Sequence, residues 1–317
     1  MARAHVDPEA WERKVKKCRR ILIPLVAVLL VACGTVWLLK NKILPERRNQ
    51  AIYNRAEEAL EQGNIAEAID GFSVLWDYRD AKERASELAC SMQPDDSFIK
   101  LLENTKLGDY VNFGAWEQDG DLGNGPEPIT WFVLAEDDGR VLLWSDLVLD
   151  QVPYHEKKKE ITWAECSLRA WLNETFYQDA FTANEKAMIP KTVLQNVGNQ
   201  ASDVKGGADS EDHVFILSLN EVIAFAAFNP SMSELYTYPT SYAVSRGIDV
   251  HEDWKTCCWW FRTPGIDGTS AAYCAMNGNP LYSGSVDSKH YGVRPAIWVF
   301  APGRTQSAEP GDGGNNA

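Results

Sequence analysis

The sequence lacks the residue patterns that most catalytic and metal-binding sites require. Its seven cysteines form no Cys-x-x-Cys pair, which leaves a zinc site or a thioredoxin-type redox site without support. Its five histidines are scattered without metal-ligand spacing, and no Gly-x-Ser-x-Gly turn or phosphate-binding loop accompanies them. We therefore expect no catalytic residue and no cofactor.

Positive charge is scarce over most of the chain. The 317 residues include 31 Lys and Arg against 45 Asp and Glu, a net charge of −14. The basic residues concentrate in the first 48 positions, so the remainder is strongly acidic. An acidic body without a basic, aromatic-laced face argues against nucleic acid as a partner.

One long uncharged run lies near the N-terminus, at residues 21–39. About 20 apolar residues cross a bilayer, so the run predicts a transmembrane helix. The heavier basic cluster before it predicts a cytoplasmic N-terminus, residues 1–20, and an extracytoplasmic C-terminal domain at the cell membrane. Within the run, Leu30 to Gly34 resembles a bacterial lipobox, which would make Cys33 a lipidated residue. A single-pass helix and a lipid anchor are therefore alternative interpretations.

Residues 49–92 carry a helical period. The spacing of Ala56, Leu60, Ala68 and Phe72 resembles a tetratricopeptide helix pair. Only about one and a half repeats are present, whereas three are normally needed for a free-standing array. The pattern predicts a helical stalk braced against the next domain, with a peptide-binding groove as the alternative.

Strand-like runs, then helices, then strands again fill the rest of the chain. This order without regular β-α-β alternation predicts an α+β domain. Three helix starts fit the capping box, in which a hydroxyl residue precedes a glutamate by three positions: Thr162, Thr182 and Ser218. The tail, residues 302–317, is rich in Gly, Ser, Pro and Asn and is predicted to be disordered.

Two apolar segments near the C-terminus each contain one arginine, Arg262 and Arg294. A buried charge without partners is very costly, so we expect both arginines to organise a buried polar network. The tryptophans expected around them in the core are Trp163, Trp171, Trp259 and Trp260.

The order of the motifs resembles the bacterial domain family DUF6273 over residues 107–300. The motifs that carry the resemblance are Phe113-Gly114, Thr162-Trp163, Trp260-Phe261-Arg262-Thr263-Pro264-Gly265 and Gly292-Val293-Arg294-Pro295-Ala296. More distantly, the last two are similar to the end of C-type-lectin-like domains of the formylglycine-generating subgroup. That similarity implies a mixed domain with long loops, but the paired copper-binding cysteines of such enzymes have no recognisable match.

Two further features of the sequence leave alternatives open. Asp119 and Asp121 begin like a calcium-binding loop, but Gly123 occupies the third ligand position, so the pattern favours an acidic solvated turn over a metal site. Cys257 or Cys258 could form a disulfide with Cys274, or all three could be buried free thiols.

Candidate ligand-binding residues follow the first arginine. They combine tyrosine with small polar groups, as adaptable binding surfaces do: Tyr273, Asn277, Asn279, Tyr282 and Ser283. The alternative is an inward-facing strand closed by a turn at Asn277.

Together these features predict a membrane-anchored, non-catalytic protein that binds a glycan, a peptide or an envelope component. An extracytoplasmic enzyme with cysteine chemistry and a structural assembly subunit are the alternatives.

Overall fold

The computed structural model describes residues 39–92, 96–137, 139–228 and 235–302. In these ranges the chain is α+β, as the sequence predicts. After a π-helical turn at Leu39–Ile43, the α-helices are α1 (Leu44–Glu61), α2 (Ile65–Ser73), α3 (Ala81–Ser91), α4 (Asp96–Asn104), α5 (Ser167–Trp171), α6 (Tyr177–Ala180), α7 (Ala183–Ala187), α8 (Leu219–Phe228) and α9 (Ser241–Ser245).

The strands form two five-stranded sheets and one small pair. They are β1 (Tyr110–Trp116), β2 (Glu127–Asp137), β3 (Arg140–Ser145), β4 (Asp150–Gln151), β5 (Thr192–Leu194), β6 (Ser210–Asp212), β7 (Val214–Phe215), β8 (Trp259–Pro264), β9 (Ser270–Cys274), β10 (Pro280–Ser285), β11 (Gly292–Val293) and β12 (Ala296–Phe300). The first sheet has the order β1-β2-β3-β12-β7 and the second β10-β9-β8-β11-β4, while β5 pairs with β6.

The C-terminal strands tie the two large sheets together. Strand β11 runs parallel to β8, with Gly292 opposite Trp259, and belongs to the second sheet. Two residues later the chain enters β12, which pairs antiparallel with β3 in the first sheet, with Ala296 opposite Trp144. Arg294 therefore lies at the point where the chain passes from one sheet to the other.

Large aromatic side chains fill the core. Trp144 and Trp259, one from each sheet, meet edge to face with ring centroids 5.4 Å apart. Trp163 and Trp260 are also buried, and the Trp163 indole donates a hydrogen bond to the buried carboxylate of Asp212. Each such ring contributes about 2–3 kcal/mol through burial of its apolar surface.

Trp171 lies at the edge of this core. Its ring is half-buried and meets Trp116 edge to face, with centroids 5.7 Å apart.

The N-terminal helices pack on the domain and on one another. Helices α1 and α2 approach closely because Gly71 has no side chain; a Cβ there would lie 2.8 Å from that of Ala56. Beyond α2, Trp76 stacks on Phe300 of β12, with ring centroids 5.9 Å apart. Asp70 pairs with His213 at 2.7 Å and with Lys191 at 2.9 Å. Residues 49–92 are thus held to the domain by both apolar and charged contacts.

The predicted transmembrane helix needs correction. No helix within the described ranges is both long enough and apolar enough to cross a membrane. The predicted span at 21–39 lies, except for its last residue, outside those ranges, as does the lipidation candidate Cys33. The predicted placement at a cell membrane rested on that span and is withdrawn with it. Residues 1–20 and the tail from 303 onward also lie outside the described part of the chain.

Two of the three predicted capping boxes form. Thr182 caps α7 reciprocally with Glu185, and at α8 the Ser218 and Glu221 side chains each accept the other's backbone N–H. The prediction at Thr162 is wrong, because that residue has no side-chain cap and only a single 3₁₀ turn follows it. Helix α5 begins five residues later, at Ser167, and the thiol of its N-cap Cys166 accepts the N–H of Arg169.

Candidate functional site

A cleft of about 400 Å³ opens where three separate segments meet. Its lining residues are Tyr236, Tyr238, Trp254, Thr256, Met276 and Asn277. None of these side chains carries a charge, although the chain as a whole is strongly acidic. The volume lies in the range of small-molecule sites, which combine aromatic walls with a few placed polar groups.

Trp254 forms one wall and is held rigidly. Its ring stacks on His251, with centroids 4.1 Å apart and the planes within 7°. The Nδ1 atom of His251 accepts the backbone N–H of Trp254 at 3.2 Å, and the His251 N–H donates to the carbonyl of Thr256 at 2.8 Å. These bonds close a tight loop, yet 55% of Trp254 stays exposed. The loop therefore presents an ordered aromatic surface to solvent.

The two tyrosines form the opposite wall because the chain between them is extended. Successive side chains of an extended segment point to opposite sides, so Tyr236 and Tyr238 face the cleft while Thr237 is buried. The Thr237 hydroxyl donates to the carbonyl of Asp146 at 2.6 Å. The carbonyl of Tyr238 accepts the N–H of Val148 at 3.0 Å. The segment between β3 and β4 thus fixes the position of the chain that carries both rings.

The turn between β9 and β10 forms the floor of the cleft. The Thr256 hydroxyl donates to the carbonyl of Met276 at 2.7 Å. Asn277 is exposed, and its Oδ1 accepts the N–H of Asn279 at 3.1 Å. The turn requires Gly278, which has a φ of +82°. No described residue accepts a hydrogen bond from the Asn277 amide nitrogen, so this group can donate to a ligand.

The residues that the sequence proposed for ligand binding do not all gather here. Asn277 lines the cleft, and Asn279 lies in the same turn. Tyr273 instead stacks on Tyr291, with ring centroids 4.4 Å apart. Tyr282 is half-buried and Ser283 exposed on β10. Of the five proposed residues, only Asn277 and Asn279 therefore lie at the cleft.

The aromatic residues of the cleft were missed at the sequence level, although two signals mark them. Trp254 is a tryptophan inside a charged, polar loop, where a core residue would be out of place. Tyr236 and Tyr238 alternate around a threonine just before a proline, which is typical of an extended segment with one exposed face. Neither signal shows that the two segments meet.

Both arginines are buried, but their surroundings differ. The terminal nitrogens of Arg262 donate to Glu221 at 2.6 and 3.0 Å, and its Nε donates to Asn196 at 3.1 Å. Arg294 lies flat on Trp144, 3.4 Å from the ring centroid, and its Nε donates to the carbonyl of Ser145 at 2.8 Å. Burial lowers the pKa of Arg294 to about 10, so it stays cationic at neutral pH.

The cysteines of the described ranges are free thiols. Burial raises the pKa of Cys274 and of Cys166 to about 12, and it raises the pKa of Cys257 further still. Because the thiolate is the nucleophile, these sulfurs are poor candidates for cysteine chemistry. The predicted alternative of buried free thiols is the one that the structure contains.

The acidic loop between β1 and β2 brings three carboxylates together. One oxygen each of Glu117, Asp119 and Glu127 lie within 4.8 Å of one another, close enough to hold a cation. The same carboxylates accept backbone N–H groups of their own loop, such as Gly120 on Glu117 and Gln118 on Glu127, both at 2.7 Å. Backbone N–H donation from Asp121 lowers the pKa of Asp119. These internal bonds account for the cluster without a metal.

A search of the curated proteins and a search of the solved structures each return no match. A family model matches residues 138–301, which is just over half of the chain. The match includes both buried arginines and all six residues named above as lining the cleft. The chain therefore belongs to the family described as "Domain of unknown function (DUF6273)".

Proposed function

We propose that this protein is a non-catalytic binding protein that recognises a neutral carbohydrate in the cleft between Trp254 and the Tyr236–Tyr238 segment. The observation that carries the proposal is the lining of the cleft, whose described residues include three exposed aromatic rings and an asparagine but no charged side chain.

The chemistry of the lining selects the ligand class. The C–H face of a sugar ring packs on an aromatic ring, while its hydroxyls need amide and carbonyl partners. Trp254 and the two tyrosines supply the aromatic surfaces, and Asn277 supplies an amide. Among the described lining residues, an anionic ligand would find no cation and a cationic one no carboxylate.

The arrangement also favours binding without chemistry. Among the described residues, no carboxylate, histidine or thiol lines the cleft, so a ligand bound to this lining would touch no general acid, general base or nucleophile. The thiols of Cys257 and Cys274 lie near the cleft floor, but burial keeps their pKa values far above neutral. A rigid wall such as Trp254 lowers the entropy lost when a ligand binds.

A glycan array probed with the labelled full-length chain tests the proposal. We expect binding to a set of neutral oligosaccharides, and a loss of affinity of about tenfold in Trp254→Ala, because one lost aromatic contact is worth about 1.4 kcal/mol. The matched control is Tyr110→Ala, since Tyr110 is 57% exposed, like Trp254, but lies on β1 outside the cleft.

Two results would contradict the proposal. One is that the chain binds no neutral glycan on the array. The other is that Trp254→Ala and Tyr238→Ala bind with the wild-type affinity. Binding to a peptide array that is lost in Trp254→Ala would keep the cleft as the site and would replace the carbohydrate with a protein ligand.

A further inference from the structure

We infer that the buried guanidinium of Arg294, together with the indoles of Trp144 and Trp259, binds a monatomic anion of the chloride type. This site is separate from the carbohydrate cleft and does not rest on the proposed function. It follows from a comparison of the two buried arginines and from a surplus of hydrogen-bond donors around one of them.

The two arginines differ in charge compensation. Only 2% of the Arg262 side chain is exposed, and the carboxylate of Glu221 neutralises it through two hydrogen bonds. Arg294 is buried to a similar degree, with 7% exposed, yet it forms no ion pair with any residue in the described ranges. Among those residues Asp146 has the largest charge effect on it, but from beyond ion-pair distance. A buried cation without a counter-charge is strongly unfavourable.

Donors without acceptors surround this cation. The Nε of Arg294 donates to Ser145. Its two terminal nitrogens are not fully enclosed, and they have no acceptor in the described part of the chain. The indole nitrogens of Trp144 and Trp259 are buried and likewise have no acceptor. The rings are close, since the guanidinium carbon lies 3.4 Å from the Trp144 centroid and 5.4 Å from that of Trp259. The guanidinium and the two indole rings are therefore close neighbours.

The neighbouring thiols do not supply the missing acceptors. Cys274 directs its Sγ to the carbonyls of Leu235 and Ala275, at 3.6 and 3.5 Å. Cys257 directs its Sγ to the carbonyl of Thr237 at 4.0 Å. Sulfur is a weak acceptor in any case.

The donor-only surroundings favour an anion over water. A buried water accepts hydrogen bonds but also brings two protons of its own, which need acceptors. An anion accepts from every N–H group and adds no donor, and its charge neutralises the guanidinium. A monatomic anion also needs less space beside packed rings than a carboxylate or phosphate group does.

Thermal unfolding of the full-length chain at constant ionic strength tests the site, with sodium gluconate replaced stepwise by sodium chloride. We expect the midpoint to rise by about 3 °C and to saturate, as ligand binding to the folded state requires. Crystals soaked in sodium bromide should show an anomalous peak at the terminal nitrogens of Arg294.

Conservative variants assign the effect to this cluster. Trp144→Phe and Trp259→Phe keep a ring but remove the N–H, so each should raise the half-saturating chloride concentration about fivefold. Arg294→Met should abolish the chloride dependence. The matched control is Arg140→Met, because Arg140 also lies over a tryptophan, Trp76, but has a carboxylate partner in Asp137; this variant should keep the wild-type chloride dependence.

Two results would overturn the inference. One is an unfolding midpoint that does not change when chloride replaces gluconate at constant ionic strength, and the other is an ordered water at Arg294 in place of the bromide peak. If Arg294→Met does not fold, the bromide peak in the wild-type protein and the two Trp→Phe variants still decide the question.

Discussion

Replacement of Glu221 by glutamine should destabilise the domain by about 3 kcal/mol. Glu221 has two roles, since it receives both terminal nitrogens of Arg262 and also accepts the N–H of Ser218 at the start of α8. Glutamine keeps the shape and one oxygen but loses the charge, which leaves the buried guanidinium with only neutral acceptors. Breaking a buried ion pair typically costs 3–5 kcal/mol; we take the lower end because 30% of the Glu221 side chain is exposed to solvent.

Urea unfolding followed by tryptophan fluorescence measures this loss. The midpoint should fall by about 1 M with an unchanged slope. Ser218→Ala is the control for the capping role, with an expected loss of about 1 kcal/mol. Arg262→Met combined with Glu221→Gln should cost less than the sum of the two single losses, because the double variant has no stranded charge. A loss in Glu221→Gln no larger than that in Ser218→Ala would refute the assigned role of the ion pair.

Three further predictions concern other parts of the molecule. Burial raises the pKa of Asp150 to about 6, so the folded state binds this proton more tightly than the unfolded chain does; the group's contribution to stability is full below about pH 4 and is lost as the pH rises through about 6. Asp150→Asn should remove about 2 kcal/mol of that pH dependence and should be more stable than the wild type at pH 7. Unfolding midpoints measured from pH 4 to 7 check this, and a variant with the wild-type pH profile would contradict the prediction. Peptide mapping after brief iodoacetamide treatment should find Cys166, Cys257 and Cys274 unlabelled in the folded protein, because burial raises their pKa values; rapid labelling of Cys274 would count against this. Trp76→Ala should cost about 2–3 kcal/mol, because it removes the stack on Phe300 and the contact with Arg140, whereas Leu122→Ala at a 76% exposed position should cost less than about 0.5 kcal/mol; equal losses in urea unfolding would exclude a stabilising interface at Trp76.

Local patterns in the sequence predicted the α+β class and two of the three capping boxes correctly. Strand alternation and the spacing of a hydroxyl residue and a glutamate act over a few residues, so they can be read without knowledge of the fold. The failure at Thr162 shows the limit of such patterns, because only one 3₁₀ turn follows that residue and the α-helix begins at Ser167 with Cys166 as its N-cap.

At the N-terminus, hydropathy alone led to a wrong prediction. The uncharged run at 21–39 satisfied a length criterion for a membrane span, but no helix in the described ranges fits one. The composition of a segment shows how apolar it is, but it does not by itself establish that the segment crosses a membrane.

By itself, the sequence determined the class of the fold, the family motifs and the need of both arginines for partners, because an arginine inside an apolar strand is costly in any fold. Only the tertiary structure decided which partners they have: Glu221 for Arg262, and tryptophan rings for Arg294. It also decided that Trp254, Tyr236, Tyr238 and Asn277 line one cleft. Such contacts join residues far apart in the chain, and their geometry depends on how the sheets pack, which no local pattern encodes.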